Sequence, residues 1–291
     1  MDVSVCIVNY RATQFLLRCL RSIAGSAPEC SLEIIVVDNA SPDFDREAAL
    51  AEMAEAKIVE NDSNRGYAAA SNQAIELSTG EFVLLCNPDI ELEGKTIETL
   101  RSFLADHPGA AAAAPQLIYH SGRIQWSCRG FPRPAGLFFE IVGLARIFRH
   151  SEWLGSYRMR YFDHRETREI EQPMASLLML RRTAIEDVGL LDERFPIFGN
   201  DVDWAMRAAE RGWTIHFVAG ARAVHHHGQS TKHMGARRAL ESSRSLGLLY
   251  KKHYKGRIPA LVYFPMVALI AAAGFVKAAG LAVRYGFRRG A

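Results

Sequence analysis

Two carboxylates stand two residues apart in Phe198-Gly199-Asn200-Asp201-Val202-Asp203-Trp204, after a glycine and just ahead of an amphipathic run over 204–212. The pattern predicts a loop feeding a helix. A carboxylate at a helix start is held by backbone N–H groups and kept ionised by the helix dipole. Fixed and ionised, it can take a proton from a hydroxyl as a general base. Asp201 is the candidate for that role. Asp203 is either the helix N-cap or, with Trp204, a substrate contact. A third carboxylate, Asp89, follows Asn87-Pro88, where the proline stiffens a turn and aims it. There it can carry Mg²⁺ or Mn²⁺ with a diphosphate, or simply close the turn. The run His225-His226-His227 ends another apolar segment. Imidazole with carboxylate suits Mn²⁺ better than Mg²⁺. Three adjacent histidines cannot all face one ion, so His226 and His227 are expected to hydrogen-bond around it.

The elements that must position these groups alternate. Val3–Asn9 and Leu32–Asp38 are short β-branched runs separated by a helix with Leu16, Leu17, Leu20 and Ile23 on one face, opened by Thr13 as its cap. Strand, helix and strand in that order form a parallel β-α-β unit, and ligands of such sheets bind beyond the carboxyl ends of the strands. The polar residues there are Asn9-Tyr10 and Asp38-Asn39-Ala40-Ser41. Asp38 can accept from a nucleobase or ribose, or form an Asx turn. A helix over 48–56 and a strand over 57–60 lead to a turn with Asn64, Arg65 and Gly66, where φ is free. The N-terminus of the Ala-rich helix over 68–77 then suits a phosphate or a carbonyl oxygen. A strand over 81–86 delivers Asn87-Pro88-Asp89, a helix covers 96–104, and 110–114 is a small-residue strand or a sheet edge.

In the second half, residues 123–134 include Arg129, whose guanidinium can grip a diphosphate or lie along the surface. Residues 145–172 are a long polar segment, able to cover a donor, to touch the diphosphate of a lipid-linked acceptor, or to be a solvated face. Strands are expected over 173–180, 214–218 and 221–224, with Thr183 capping a short helix over 184–188.

The bulk numbers bound the class. The chain has 291 residues, 49 % hydrophobic and 23 % charged, which is globular in character. A formal charge of +3 gives no basis for nucleic-acid binding. The five cysteines show no C-x-x-C pair and read as buried thiols of a reducing compartment. No positive leader precedes the first strand, so the catalytic part is expected in the cytoplasm. Residues 258–276 carry no charge and as a helix would span about 28 Å. Lys251, Lys252, Lys255 and Arg257 precede them; Lys277, Arg284, Arg288 and Arg289 follow. Pro259 and Pro265 interrupt the run, and basic flanks on both sides favour a helix on the inner leaflet, with a span or a soluble packed helix as alternatives.

Taken in order, Val3 to Tyr10, Asp38-Asn39-Ala40-Ser41, Asn64-Arg65-Gly66-Tyr67 with Asn72, Asn87-Pro88-Asp89, Asp201 and the His225 region resemble family 2 glycosyltransferases. Among them they look most like bacterial rhamnosyltransferases of cell-surface polysaccharide assembly. Gln125-x-Ser127-x-Arg129, Asp192-Glu193 and His225-His226-x-Gly228-x-Ser230 add to the likeness. The resemblance implies an α/β fold of the GT-A type with a mostly parallel central sheet. The resemblance covers roughly residues 3 to 255, and the domain it implies is 1–250, with 1–115 binding the nucleotide sugar and 116–250 serving the acceptor and catalysis. Residues 251–291 are left as a basic, hydrophobic helical tail associated with a membrane. It further implies a donor nucleotide sugar, dTDP-L-rhamnose above others, and a glycan or polyprenyl-diphosphate-linked acceptor. Asp38 would meet the nucleobase, Asp89 and His225 the Mn²⁺ or Mg²⁺, and Asp201 would be the base of an inverting transfer. Asn9, Tyr10, Asn39, Ser41, Asn64, Arg65, Gly66, Asn72, Asn87, Arg129, Asp203 and Trp204 would complete the binding surface, at the inner face of the cell membrane, with oligomers allowed. Asn87 and Asn200 stand where many relatives have an acidic residue. They keep open a relative that binds without catalysis; a UDP-sugar transferase of the same fold stays open because thymine and uracil present almost the same edge to Asp38. A nucleotidyltransferase would need a Gly-rich loop that Asn9-Tyr10-Arg11-Ala12 lacks.

Overall fold

The computed structural model describes residues 1–26, 29–226 and 235–289, with side chains up to 283; His227, Gly228, Ser230 and the side chains of Arg284, Arg288 and Arg289 lie outside the described residues. The chain divides into two units, Met1–Phe131 with Phe162–Gln229, and Pro132–Tyr161 with Ser230–Ala291. The second unit therefore takes in more than the tail expected over 251–291.

The first unit is built on a nine-stranded sheet. β1 (Val3–Asn9) pairs in parallel with β2 (Leu32–Asp38) and β4 (Phe82–Cys86), and β3 (Lys57–Glu60) lies beyond β2. β10 (Leu177–Arg181) runs antiparallel between β4 and β6 (Ala110–Ile118). β11 (Thr214–His225) is parallel to β6 and antiparallel to β5 (Ile90–Glu93) and β8 (Arg168–Ile170). Six strands thus share one direction, as the expected mostly parallel sheet requires, and β5, β8 and β10 oppose them. A separate two-stranded ribbon joins β7 (Cys128–Arg129) to β9 (Gln172–Pro173).

The apolar periods explain the layers. α1 (Thr13–Ser26), α2 (Arg46–Glu52) and α4 (Thr96–Asp106) bury Leu16, Leu20, Ala49, Leu100 and Leu104 against Val5, Ile7, Val36 and Leu84. α3 (Tyr67–Glu76) packs on β1 and β2, α7 (Arg182–Val188) on β10, and α8 (Asn200–Glu210) on β11. The alanine run of β6 is buried throughout and lies inside the sheet between β10 and β11, not at an edge. Its methyl groups let α4 approach closely. The two strands expected over 214–224 are one strand, with a register slip between Val218 and Arg222 that absorbs Gly220. Thr13 and Thr183 lie inside α1 and α7, and Arg181, not Thr183, is the cap of α7. The four cysteines Cys6, Cys19, Cys86 and Cys128 are buried and all five are free.

The polar segment over 145–172 dips into this core at His164, which is 0 % exposed. Its ring stacks on Phe162 at 4.6 Å and meets the edge of Phe217 at 5.4 Å. Nδ1 donates to the Phe162 carbonyl at 3.0 Å, which leaves Nε2 to accept the Cys128 N–H at 3.1 Å. A neutral ring is therefore built in.

The second unit holds α5 (Pro134–Ile141), α6 (Leu144–Ile147), α9 (Arg237–His253) and α10 (Ala260–Arg289). Leu137, Tyr250, Tyr263, Met266 and Ile270 form its core. Pro259 stands just before α10, and Pro265 lies inside it without ending it. Ala260–Val283 is, among the described residues, the one helical stretch long and apolar enough to cross a membrane.

Burial pushes the His164 imidazole down to about 4 from its ordinary 6.5. The unfolded chain then binds the proton first, so stability is complete above pH 6.5 and declines toward pH 4. Between pH 7 and pH 5 the loss is about 2 kcal/mol. Urea unfolding across that range should show it, and His164→Gln, although less stable at pH 7, should flatten the slope. An unchanged slope in the variant would assign the effect elsewhere.

Candidate active site

The carboxyl ends of β1, β2, β4, β6 and β11 lie along one sheet edge, and so do the starts of β5 and β10. The polar residues predicted at strand ends gather there in a chain of hydrogen bonds. Asp38, 2 % exposed, accepts Asn9 Nδ2 at 2.8 Å on one oxygen and the Ser41 N–H at 2.8 Å on the other. The second bond closes the loop after β2 three residues on, one residue longer than the expected Asx turn. A carboxylate only accepts, so the Asn9 amide must turn its Nδ2 to Asp38 and its Oδ1 away. That Oδ1 is buried and has no partner. Buried acceptors rarely stay unpaired, so the atom is suited to a ligand N–H or O–H. Ser41 Oγ accepts the Arg11 N–H at 2.8 Å, and Arg11 and Ala40 both hold positive φ, 52° and 61°. Such backbone is uncommon outside glycine and marks a turn fixed by its surroundings. Tyr10 is half-buried, with the Arg11 guanidinium 5.3 Å from its ring centre.

Asn39 clasps the next turn. Its Oδ1 accepts Asn61 Nδ2 at 3.1 Å and the Arg65 N–H at 3.2 Å, and its Nδ2 donates to the Gly66 carbonyl at 3.1 Å. Asn64 Oδ1 accepts the Gly66 N–H at 2.9 Å, while Arg65 is exposed. Gly66 is required: φ is +86°, and a Cβ would sit 2.9 Å from Pro196 Cβ. The Pro196 carbonyl accepts the Tyr67 N–H at 2.6 Å. Of the two partners expected at the α3 N-terminus, the structure supplies the carbonyl oxygen.

A second cluster joins β5 to the end of β11. The Asp89 carbonyl accepts the His226 N–H at 2.9 Å, and Asp89 Oδ1 faces His225 Nε2 at 3.5 Å, both side chains being almost wholly buried. His225 Nδ1 lies 2.6 Å from Gln125 Oε1. An amide oxygen only accepts, so Nδ1 carries the proton and Nε2 of the neutral ring presents a lone pair to Asp89. Two acceptors so placed repel unless a cation or a proton stands between them. The donor set, one carboxylate oxygen and one imidazole nitrogen, fits a divalent ion that takes its other ligands from a diphosphate and water. Among the described residues no group of three or more His, Cys, Asp or Glu makes a fuller cage. His226 bonds Glu91 at 2.8 Å, the hydrogen-bonding role expected of it. Gln125 was named in the sequence only as part of the Gln125-x-Ser127-x-Arg129 pattern and given no role, because its partner His225 is 100 residues away.

Asp201 lies beside these clusters. α8 begins at Asn200, earlier than the amphipathic run predicts, with Gly199 at φ +85° before it. Asn200 Nδ2 reaches back to the Phe195 and Ile197 carbonyls at 3.1 and 3.3 Å and fixes the turn. Asp201 accepts the Val202 N–H at 2.8 Å and the Ala175 N–H at 3.4 Å. Burial raises its carboxyl above the usual range, with those N–H groups opposing. The neighbouring Ser176 carbonyl accepts the Asn87 N–H at 2.9 Å. One short segment, Ala175-Ser176, therefore touches Asp201 on one side and Asn87-Pro88-Asp89 on the other. Arg129 flanks it, bonding the Cys128 carbonyl at 2.7 Å and lying 3.9 Å from Met174 Sδ.

Three predicted contacts are engaged in packing instead. Asp203 is not an N-cap: it sits inside the first turn of α8, 0 % exposed, paired with Arg207 at 2.9 Å. Arg207 also donates to the Val188 and Leu190 carbonyls at 2.6 and 2.8 Å, and Trp204 Nε1 to the Gly189 carbonyl at 2.9 Å. Together they lock α8 onto the end of α7. Asn72 exchanges hydrogen bonds with the Leu191 backbone at 2.9 and 3.0 Å and donates to Glu193 at 3.1 Å, so it holds the loop that leads to Asn200. The apolar run needed those donors and acceptors satisfied, and α7–α8 packing supplied nearer partners than a ligand could.

Comparison with known proteins places the fold and the family. The chain is 27 % identical over 238 residues to N-acetylglucosaminyl-diphospho-decaprenol L-rhamnosyltransferase of Mycobacterium tuberculosis, covering 78 % of this chain and 76 % of that protein. It is 24 % identical to the low-salt glycan biosynthesis hexosyltransferase Agl10 of Haloferax volcanii, over 77 % of this chain and 67 % of that one. The fold is shared with the mannosyltransferase PcManGT of Pyrobaculum calidifontis, solved with GDP-Man and Mn²⁺, at a TM-score of 0.58 and 18 % identity, covering 98 % and 75 % of the two chains. It is shared equally with S. aureus TarS, at 0.58 and 14 %, covering 95 % and 72 %. These are GT-A folds, mixed α/β around a central sheet. A family profile described as Glycosyl transferase family 2 matches residues 4–189. The chain belongs to that family and is a glycosyltransferase.

Proposed function

We propose that this enzyme transfers a sugar from a nucleoside-diphosphate donor to a lipid-linked or glycan acceptor of cell-surface polysaccharide, with inversion at the anomeric carbon. The observation that carries it is the Ala175-Ser176 bridge, which holds a desolvated Asp201 beside Asn87-Pro88-Asp89. Asp201 takes the acceptor hydroxyl proton as that oxygen bonds to C1. The bond from C1 to the diphosphate oxygen breaks on the opposite face, and its electron pair leaves with the nucleoside diphosphate. One base suffices for such a displacement. Asn9 Oδ1 and Asp38 address the nucleoside, and the turn of Asn39, Ser41, Asn64 and Arg65 frames it. Asp89 and His225 would hold Mn²⁺ or Mg²⁺, with Gln125 fixing the imidazole tautomer. When bound, such an ion neutralises charge on the departing diphosphate. Asn72, Asp203 and Trp204 act on the site only by holding the α7–α8 joint and its loop.

The mycobacterial relative acts, by its name, as a rhamnosyltransferase on a diphospho-decaprenol-linked sugar. That favours dTDP-L-rhamnose and a polyprenyl-diphosphate acceptor, with the reaction at the inner face of the cell membrane. A UDP-sugar is the second reading, since uracil offers Asn9 and Asp38 nearly the same edge as thymine. Thermal shifts with dTDP- and UDP-sugars, with and without Mn²⁺, separate the two.

Asp201→Asn should lower turnover by about 10² to 10⁴-fold. Donor binding should stay within about twofold, and the melting temperature should hold or rise, because a desolvated ionised carboxylate has been removed. Normal turnover in that variant would remove Asp201 from the chemistry. In the parent enzyme the rate should fall on the acid side at a higher pH than an ordinary aspartate would give, since burial lifts the Asp201 carboxyl.

Gln125→Leu should weaken metal-dependent donor binding by about 10 to 100-fold, because the His225 ring loses its fixed tautomer. Titration calorimetry with Mn²⁺ present and absent reads it. A variant weakened equally without metal would show that Gln125 meets the donor or the fold, not the ion.

A further inference from the structure

The small net charge of the chain hides a separation. Pro132–Tyr161 with Ser230–Ala291 has 17 Lys and Arg against three Asp and Glu, a formal +14, whereas Met1–Phe131 with Phe162–Gln229 has 18 against 29, a formal −11. The basic unit also exposes large apolar side chains. On and after α6 these are Ile147 at 72 %, Phe148 at 52 % and Trp153 at 69 %. On α10 they are Leu261 at 90 %, Phe264 at 64 %, Phe275 at 67 % and Val276 at 74 %. At 100° per residue the four on α10 share about a third of its circumference, and the docked residues Tyr263, Met266, Ile270 and Gly274 take the opposite side.

That docked side decides between a helix that spans and one that lies flat. Ser243 Oγ of α9 donates to the Ile270 carbonyl at 2.6 Å, and a Cβ on Gly274 would collide with Ser243. Leu246 and Tyr250 of α9 join the core around Met266 and Ile270. α9 therefore runs beside α10 through the apolar stretch, and it carries Arg244, Lys251 and Lys252. Were α10 to cross a bilayer, those cations would enter hydrocarbon with it. Lying in the interface, α10 can bury its outer face while α9 stays at headgroup level.

The cations have a place to act. The Ala239 carbonyl of α9 lies against Gly274 of α10, which brings Arg238 toward the turn that carries the exposed Lys277, and α5 touches both α6 and α10. One carboxylate, Glu140, answers both Arg158 at 3.6 Å and Arg160 at 3.0 Å. A phosphate from outside would relieve this cluster.

We propose that this unit is an interfacial foot with two insertions into an anionic bilayer, the outer face of α10 and a separate wedge of Ile147, Phe148 and Trp153, with Arg146, Arg158, Arg238 and Lys277 on the lipid phosphates. A second copy of the chain is the poorer occupant, because it would bring another strongly cationic unit against the first. The wedge lies in the polar segment read from sequence as a donor cover, a contact to the diphosphate of a lipid-linked acceptor, or a solvated face, and the assignment is independent of which sugar is transferred.

The test uses the full chain and vesicles of phosphatidylcholine, alone or with phosphatidylglycerol. The parent protein should float with the mixed vesicles, lose affinity in high salt, and be released by alkaline carbonate. The triple variant Ile147→Ser, Phe148→Ser, Trp153→Ser should bind about tenfold more weakly, with dTDP-sugar thermal shifts unchanged. Arg146→Glu with Lys277→Glu should lose the preference for phosphatidylglycerol. Should the triple variant fold poorly, quenching by brominated lipid serves: it should drop in Trp153→Phe. Equal flotation of the triple variant, carbonate-resistant insertion, equal quenching in Trp153→Phe, or a dimer-to-monomer change without loss of vesicle binding would each overturn the proposal. Loss of donor binding in the parent would instead fall on the glycosyltransfer reading.

Discussion

The reversed strand β10 is the constraint on which the site depends. Because it runs against β4 and β6, its approach, Met174-Ala175-Ser176, arrives at the edge where the parallel strands end. A parallel strand in that position would bring its far end there instead. The approach segment supplies an N–H to the Asp201 carboxylate and a carbonyl to the Asn87 N–H, so one short stretch of backbone touches both the start of α8 and the Asn87-Pro88-Asp89 turn.

Two aspartates in one helical turn show how environment separates function from packing. Asp203 has Arg207 against it and stabilises the α7–α8 joint. Removing one member of such a buried pair costs about 3 to 5 kcal/mol. Asp201, two residues earlier, has no ion pair among the described residues; it accepts the N–H groups of Val202 and Ala175, and its carboxyl is raised by burial. A carboxylate held ionised without a counterion is a better base and a worse structural element. That is the character the proposed base needs.

Much of the fold was legible because period and punctuation carry it. The apolar runs ending in Asn9, Asp38 and Cys86 are buried strands, and the polar residues after them meet at one edge. What was not legible depended on distant partners. Nothing near Asp203 or Trp204 announces that Arg207, Val188 and Gly189 would engage them, and nothing near Asn72 announces Leu191. Gln125 acquires its role only when β11 brings His225 across the sheet. The start of α8 was missed by a turn because Asn200, a poor helix residue by propensity, is fixed by the Phe195 and Ile197 carbonyls just after Gly199. Charge separation between the two units was invisible in the net charge and emerged once the contacts divided the chain.

The most direct test of the account is a crystal structure of the protein with Mn²⁺ and a nucleoside diphosphate, with the ion placed by its anomalous signal. The account predicts the ion between Asp89 Oδ1 and His225 Nε2, the nucleoside against Asn9 and Asp38, and Asp201 open toward the outer face of the diphosphate. An ion bound away from the Asp89 and His225 pair, or a nucleotide seated off the carboxyl edge of the sheet, would contradict it.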